Sequence, residues 1–157
     1  MAESNGLLEP TLEFVFELRV EVSEPIRVGR TASEDLNVTP IVGGTIDGPR
    51  LRGKVLGVGA DWWVTRGATT QLDARYLIEA EDGSAIDVVN RGYWHAGPEL
   101  EKRLFGGEAV GEDELYYRTA FAFQTGSEAH RWLTEAQFVG YARPEPGFVC
   151  IRVFRLG

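Results

Sequence analysis

The chain has 157 residues, enough for one domain, with 24 Asp and Glu against 16 Lys and Arg and a formal net charge of −8. That excess repels phosphate backbones and anionic bilayers, which excludes a general nucleic-acid or membrane-surface binder. With 43% apolar and 11% aromatic residues there is ample material for a core, and Cys150 is the single cysteine, so no intrachain disulfide can form.

Met1 to Pro10 offers neither a basic start nor an apolar stretch of signal-peptide length, and is expected to be a disordered lead-in. No apolar run approaches the roughly 18 residues of a membrane helix. The expected setting is cytoplasmic and reducing, with residues 11–157 forming a single domain.

Leu12, Phe14, Phe16, Leu18, Val20 and Val22 alternate with mostly charged neighbours, the pattern of a strand with one wet face. Pro25 ends it. Ile41–Ile46 is a second run, broken at Gly43-Gly44, and Asp47-Gly48-Pro49 turns the chain into a strand at Arg50–Val58. Trp62–Thr65 reads as a short strand, followed by Gln71–Ala80. Glu81-Asp82-Gly83-Ser84 is hairpin chemistry leading into Ala85–Asn90. Gly97–Glu114 reads as a long loop with one helical turn at Glu99–Leu104, and loops of that length usually cover something. Leu115–Gln124 alternates again. Ser127 is placed to cap a helix over Glu128–Ala136, and Phe138–Ala142 with Phe148–Leu156 forms a last hairpin. Strands in succession without crossover helices pair antiparallel, and closure removes their exposed edges. The expected fold is all-β: one antiparallel β-barrel of about eight strands with one short helix near the C-terminus, a two-sheet sandwich being the alternative. Eight strands leave room for one small ligand.

Gly57-Val58-Gly59-Ala60-Asp61-Trp62-Trp63 places an acid and two indoles after a run of small residues that lets the backbone bend. A carboxyl among aromatic faces loses hydration, which raises its pKa toward neutrality and suits it to proton exchange; capping a turn is the plainer role. Asp73 and Arg75 share one strand face: inside a barrel they are a ligand clamp, outside a surface pair. Arg118, beside Tyr116, Ala120 and Ala122, has room to grip a carboxylate or enolate oxygen, or simply faces the acidic surface. Asn90 to His95 ends a strand with polar and aromatic groups where a barrel mouth would lie. His95 is the better placed of the two histidines, His130 falling in the expected helix. Cys150 reads as packing in an apolar strand. Two histidines and one cysteine without ligand spacing argue against zinc, and no dinucleotide fingerprint is visible, so no metal or cofactor is expected.

Gly43-Gly44-Thr45, the Gly48-to-Leu56 run and Gly59-Ala60-Asp61-Trp62 resemble the signature of the bacterial family called domain of unknown function 3237. Asp73-Ala74-Arg75-Tyr76, Asp82-Gly83, Arg118-Thr119, Thr125-Gly126, Trp132-Leu133 and Phe138-Val139-Gly140 continue the resemblance in order. It implies a calycin-like barrel, and its motifs single out Asp61, Trp62, Asp73, Arg75, Asn90 and Arg118 as the polar site set. The family pattern has Phe where Tyr117 stands, making that phenol a candidate ligand contact.

The expected activity is cofactor-independent proton transfer (isomerase, cyclase or dehydratase type) on a carbonyl- or carboxylate-bearing, partly apolar small molecule held in the lumen. Asp61, Arg118 and Asp73 are the candidate catalytic residues; Trp62, Arg75, Tyr76, Asn90, Trp94 and Tyr117 are the candidate substrate contacts. A non-catalytic carrier or sensor using the same cavity is the alternative. No nucleic-acid or membrane partner is expected, and a homo-oligomer is compatible with the sequence.

Overall fold

The computed structural model describes residues 6–157. Nine strands are found among them: β1 (Leu12–Val22), β2 (Ile26–Arg30), β3 (Asp35–Asp47), β4 (Gly53–Arg66), β5 (Thr69–Ala80), β6 (Ala85–His95), β7 (Tyr116–Gln124), β8 (Phe138–Glu145) and β9 (Phe148–Leu156). Every pairing is antiparallel. The order runs from β3 through successive neighbours to β9, then β1, and β1 pairs back onto β3. Eight strands therefore close into a barrel. β2 lies outside that circuit: it continues the line of β1 past Pro25 and pairs with Asp35–Val38 of β3.

Alternation decides what the barrel holds. In β5, Leu72, Ala74, Tyr76, Ile78 and Ala80 are buried, while Asp73 and Arg75 between them are exposed. At one end the interior is filled. Phe16, Ile78, Ile86, Leu133 and Phe138 have no more than 1% of their surface exposed. Phe123 packs against Phe16, Phe121 and Phe138, with centroids 5.3–6.0 Å apart. The plug is finished from outside by a short 3₁₀ segment, Glu128–Thr134, whose Leu133 is buried and whose Trp132 stacks edge-on against Phe138 at 5.7 Å.

Several boundaries differ from the sequence expectation, each for a local reason. Gly53–Arg66 is one strand rather than two, because the break at Val55–Gly59 is a bulge in an unbroken strand. Gly59 has φ 124°, and a Cβ there would lie 2.2 Å from the Arg75 carbonyl oxygen, so this close crossing requires glycine. β6 runs on to His95, past Asn90. β2 is short and exposed, and its alternation ends after Ile26 and Val28, too brief to announce a strand. The expected helix at Glu128–Ala136 is 3₁₀ turns ending at Thr134, and Ser127 makes no side-chain cap. The helical turn expected at Glu99–Leu104 is instead a full α-helix, α1 (Pro98–Phe105), with Pro at its start, Glu99 and Glu101 in its first turn, and Leu100 as its buried anchor. Of the lead-in expected over residues 1–10, residues 1–5 lie outside the described region, and residues 6–11 form neither strand nor helix.

Candidate functional site

The opposite end of the barrel is hollow. A cavity of about 810 Å³ runs inward between β1, β3–β7 and β9, within the size range of small-molecule pockets. Val20, Ile41, Leu72, Val149 and Ile151 supply its apolar walls, and Trp63, Trp94, Tyr76 and Tyr117 its aromatic ones. Its rim is made of Glu24 and Pro25 from the β1–β2 corner, Glu101 and Phe105 from α1, and Glu145 and Phe148 flanking the β8–β9 turn.

Asp61 reaches this cavity because it lies two residues beyond the Gly59 crossing, on the same strand face as Trp63 and Thr65. Its Oδ1 accepts a hydrogen bond from the Asp73 backbone N–H at 3.0 Å. Among the described residues no hydrogen bond engages its other oxygen. Loss of hydration in the lumen pushes its pKa up to about 7; the Asp73 N–H opposes that rise and the Asp73 charge adds to it. Near neutral pH the carboxyl is therefore poised between its two forms.

Two phenols share the space. Burial, reinforced by the negative charge of Asp61, drives the Tyr76 hydroxyl well above its ordinary pKa. Tyr117 moves the same way, from burial first and then from the charges of Asp61 and Tyr76. Both stay protonated, and so remain donors, throughout the range in which Asp61 titrates. The Trp94 ring leans on Tyr117 with centroids 5.2 Å apart, and the Trp63 indole N–H donates to Thr39 Oγ1 at 2.9 Å. Tyr76 Oη, Asn90 Oδ1 and Thr119 Oγ1 are buried without a hydrogen-bond partner. Native proteins rarely leave three such atoms around one cavity unsatisfied.

Of the residues singled out in the sequence, Asp61, Tyr76, Asn90, Trp94 and Tyr117 meet around the cavity. Four do not, and each is corrected by strand parity. Arg118 lies outside the barrel: its guanidinium stacks on the Tyr141 ring at 4.0 Å and donates to the Tyr117 carbonyl oxygen at 2.9 Å. Asp73 is outside, ion-paired with Arg91 at 3.0 Å, and Arg75 is outside, paired with Asp87 at 3.1 Å. Trp62 is 49% exposed on the outer face, and its neighbour Trp63 is the indole in the wall. The picture of an acid facing a guanidinium inside the lumen is thus overturned. Thr39, Trp63 and Thr119 were missed. Period-two counting from Asp61 reaches Trp63, and counting from Tyr117 reaches Thr119, but Thr39 is brought in by pairing across β3 and β4.

The lone cysteine, Cys150, is buried beside Arg19 and Arg143 on neighbouring strands and does not line the cavity. His95 stacks on Tyr116 at 4.8 Å, and His130 approaches Asp82 at 3.0 Å; neither lines the cavity. Among the described residues no group of three or more His, Cys, Asp or Glu is arranged to hold a metal ion, and no helix is long and apolar enough to cross a membrane.

A closed antiparallel barrel, plugged at one end and carrying a carboxyl and two phenols in an apolar cavity at the other, defines the class of protein. The chain belongs to the family described as Protein of unknown function (DUF3237), which matches residues 10–156. It is 32% identical to a UPF0311 protein of Rhodopseudomonas palustris strain TIE-1 over 95% of this chain and 99% of that one. A second UPF0311 protein, from Clostridium acetobutylicum, is 31% identical over 96% and 97% of the two chains. The crystal structure of a conserved protein of unknown function from Rhodopseudomonas palustris superposes with a TM-score of 0.86 at 32% identity, covering 96% of this chain and all of that one. A β-barrel-like protein from Acinetobacter baumannii gives 0.84 at 28% identity, covering 98% of this chain and all of that one. An enzyme from Penicillium herquei shares the fold with a TM-score of 0.73 at 22% identity, covering 99% of this chain and all of that one.

Proposed function

We propose that the protein is a cofactor-independent enzyme that moves protons on a small, partly apolar carbonyl compound bound in the open end of the barrel. One observation carries this reading: the Asp61 carboxyl, with a pKa of about 7 and one free oxygen, stands in an apolar cavity with two protonated phenols. A carboxylate tuned to the working pH is an efficient general base, and its acid form returns the proton. Asp61 would take a proton from carbon next to the substrate carbonyl. The C–H electron pair would pass into an enolate, whose oxygen accepts hydrogen bonds from Tyr76 or Tyr117. Return of the proton at another atom isomerises the substrate. Loss of a β-hydroxyl with that proton, as water, dehydrates it; attack of the enolate carbon on a second carbonyl of the same molecule cyclises it, the C=O π pair moving to oxygen, which takes the proton back from Asp61. Carboxylate recognition, which rested on Arg118, has no support inside the lumen.

Replacing Asp61 by Asn is the decisive test. The amide keeps the shape and still accepts from the Asp73 N–H, so the folded cavity should survive while turnover falls by about 10²–10⁴-fold. For the wild type, base catalysis predicts kcat/KM rising with pH up to an apparent pKa of about 7. Unchanged turnover in the Asn variant defeats the proposal.

A second reading, a carrier or sensor without catalysis, is favoured by the placement of Arg118 outside, which leaves the lumen without a charged group to stabilise an oxyanion. On that reading Asp61→Asn changes affinity alone.

A further inference from the structure

The charge of the cavity is one-sided. Asp61 lies within it and Glu24, Glu101 and Glu145 at its rim, yet among the described residues that line it there is no Lys, Arg or His. Glu145 is partly compensated by Arg19 at 3.6 Å and Arg143 at 3.4 Å, both reaching it from outside the lining. Glu24 and Glu101 have no such counter-ion among the described residues, and neither does Asp61. An anion brought into this space by a ligand would be desolvated beside carboxylates with no cation to pair with, which disfavours its binding.

The lining also asks for a polar ligand. Tyr76, Asn90 and Thr119 are 3%, 5% and 6% exposed, each has an unpartnered polar atom, and all three line this cavity. The unengaged oxygen of Asp61 is an acceptor whenever the carboxyl is ionised. Around this polar floor, Trp63, Trp94, Leu72, Ile41 and Ile151 make an apolar sleeve that suits a ring or hydrocarbon body. Indole faces also tolerate a cation.

We infer that the ligand of this cavity bears no carboxylate, phosphate or sulfate, and that it presents an O–H or N–H donor, as an alcohol or an ammonium group, to Asp61 from an apolar body. The inference rests on the proton-transfer reading for which cavity is used, and it narrows the substrate class. A carbonyl compound that is also an alcohol or amine fits; a keto acid or a phosphorylated sugar does not.

Three probes of one shape test it: 2-naphthylmethanol, 2-naphthylmethylammonium and 2-naphthoate, titrated calorimetrically into the intact protein at pH 8, where Asp61 is mostly ionised. At least one donor probe should bind 10-fold or more tighter than naphthoate. If the ammonium is the natural head group, it should bind best and weaken in the Glu24→Gln/Glu101→Gln variant, while the alcohol is unaffected. If the alcohol is, the two donor probes should bind alike in both proteins. Asn90→Leu, which fills the same space without the amide, should weaken the donor probes in either case. Naphthoate binding as tightly as the donors, or no probe binding at millimolar concentration, overturns the inference. None of the probes has to react, so rejection of naphthoate by a protein that shows no turnover defeats only the catalytic reading.

Discussion

The two ends of the barrel use the same strands and the same alternation to opposite purposes. At the plugged end large apolar side chains fill the lumen, and Phe16, Phe123, Phe138, Ile78 and Ile86 interlock. At the open end the inward positions on the same strands become Asp61, Tyr76, Asn90 and Thr119, with three unpartnered polar atoms among them. Stability is concentrated where the lumen is full, and chemistry where it is empty. A hollow end with buried polar atoms costs folding free energy, and the plug supplies what offsets it.

The sharpest way to break this comparison is to truncate one residue at each end. Phe138→Ala in the plug should cost about 3–5 kcal/mol, since the aromatic cluster around it cannot collapse into the space. Leu72→Ala in the cavity wall should cost less than half as much, because one side of that residue already faces a void and forfeits few contacts. Urea denaturation of the two variants checks this. Equal losses would mean that the lumen is packed alike throughout.

Asp61 sharpens the comparison through pH. Its folded-state pKa of about 7 lies above the 3.8 of an unperturbed Asp, so the folded protein holds a proton that the unfolded chain releases. The group therefore lowers stability as pH rises from about 4 to 7, by an amount on the order of a few kcal/mol less whatever water in the open cavity restores. Asp61→Asn removes that penalty. The variant should be more stable than the wild type at pH 8 and indistinguishable from it near pH 3, where the carboxyl is protonated in both states. A variant destabilised at pH 8 would show that the carboxylate is structurally stabilising and not a strained functional group.

How much of this was legible beforehand follows the same division. Period-two alternation marks β1, β5 and β7 outright, and the barrel with them. Asp61 stood out as an acid among indoles after a flexible run, and Tyr117 as a phenol where the family pattern has Phe. Orientation was harder. In β5 the apolar face of Leu72, Tyr76 and Ile78 already pointed to Asp73 and Arg75 being outside, but the motif pulled them inward. For Arg118, small neighbours suggested a pocket, whereas the space is filled by Tyr141 from β8, a contact set by register and invisible in the linear chain. β2 was missed and α1 was foreseen only as a single turn at Glu99–Leu104, because neither has a long periodic pattern; one is held by pairing to β3 and the other by a single buried leucine.

The smallest effect tests the boundary between inside and outside. Asp73 touches Asp61 twice: its backbone N–H donates to the Asp61 carboxylate, and its charge opposes ionisation there. Its own carboxylate is on the outer surface with Arg91, both more than half exposed. Asp73→Asn keeps the backbone donor and removes the charge, so the Asp61 pKa should move down. The acid limb of the pH–rate profile should follow it to lower pH, with turnover on the plateau retained. The lost surface ion pair should cost about 0–1 kcal/mol. Loss of turnover at every pH would place Asp73 in direct contact with substrate, which the outward face of β5 does not permit if the lumen alone is the site.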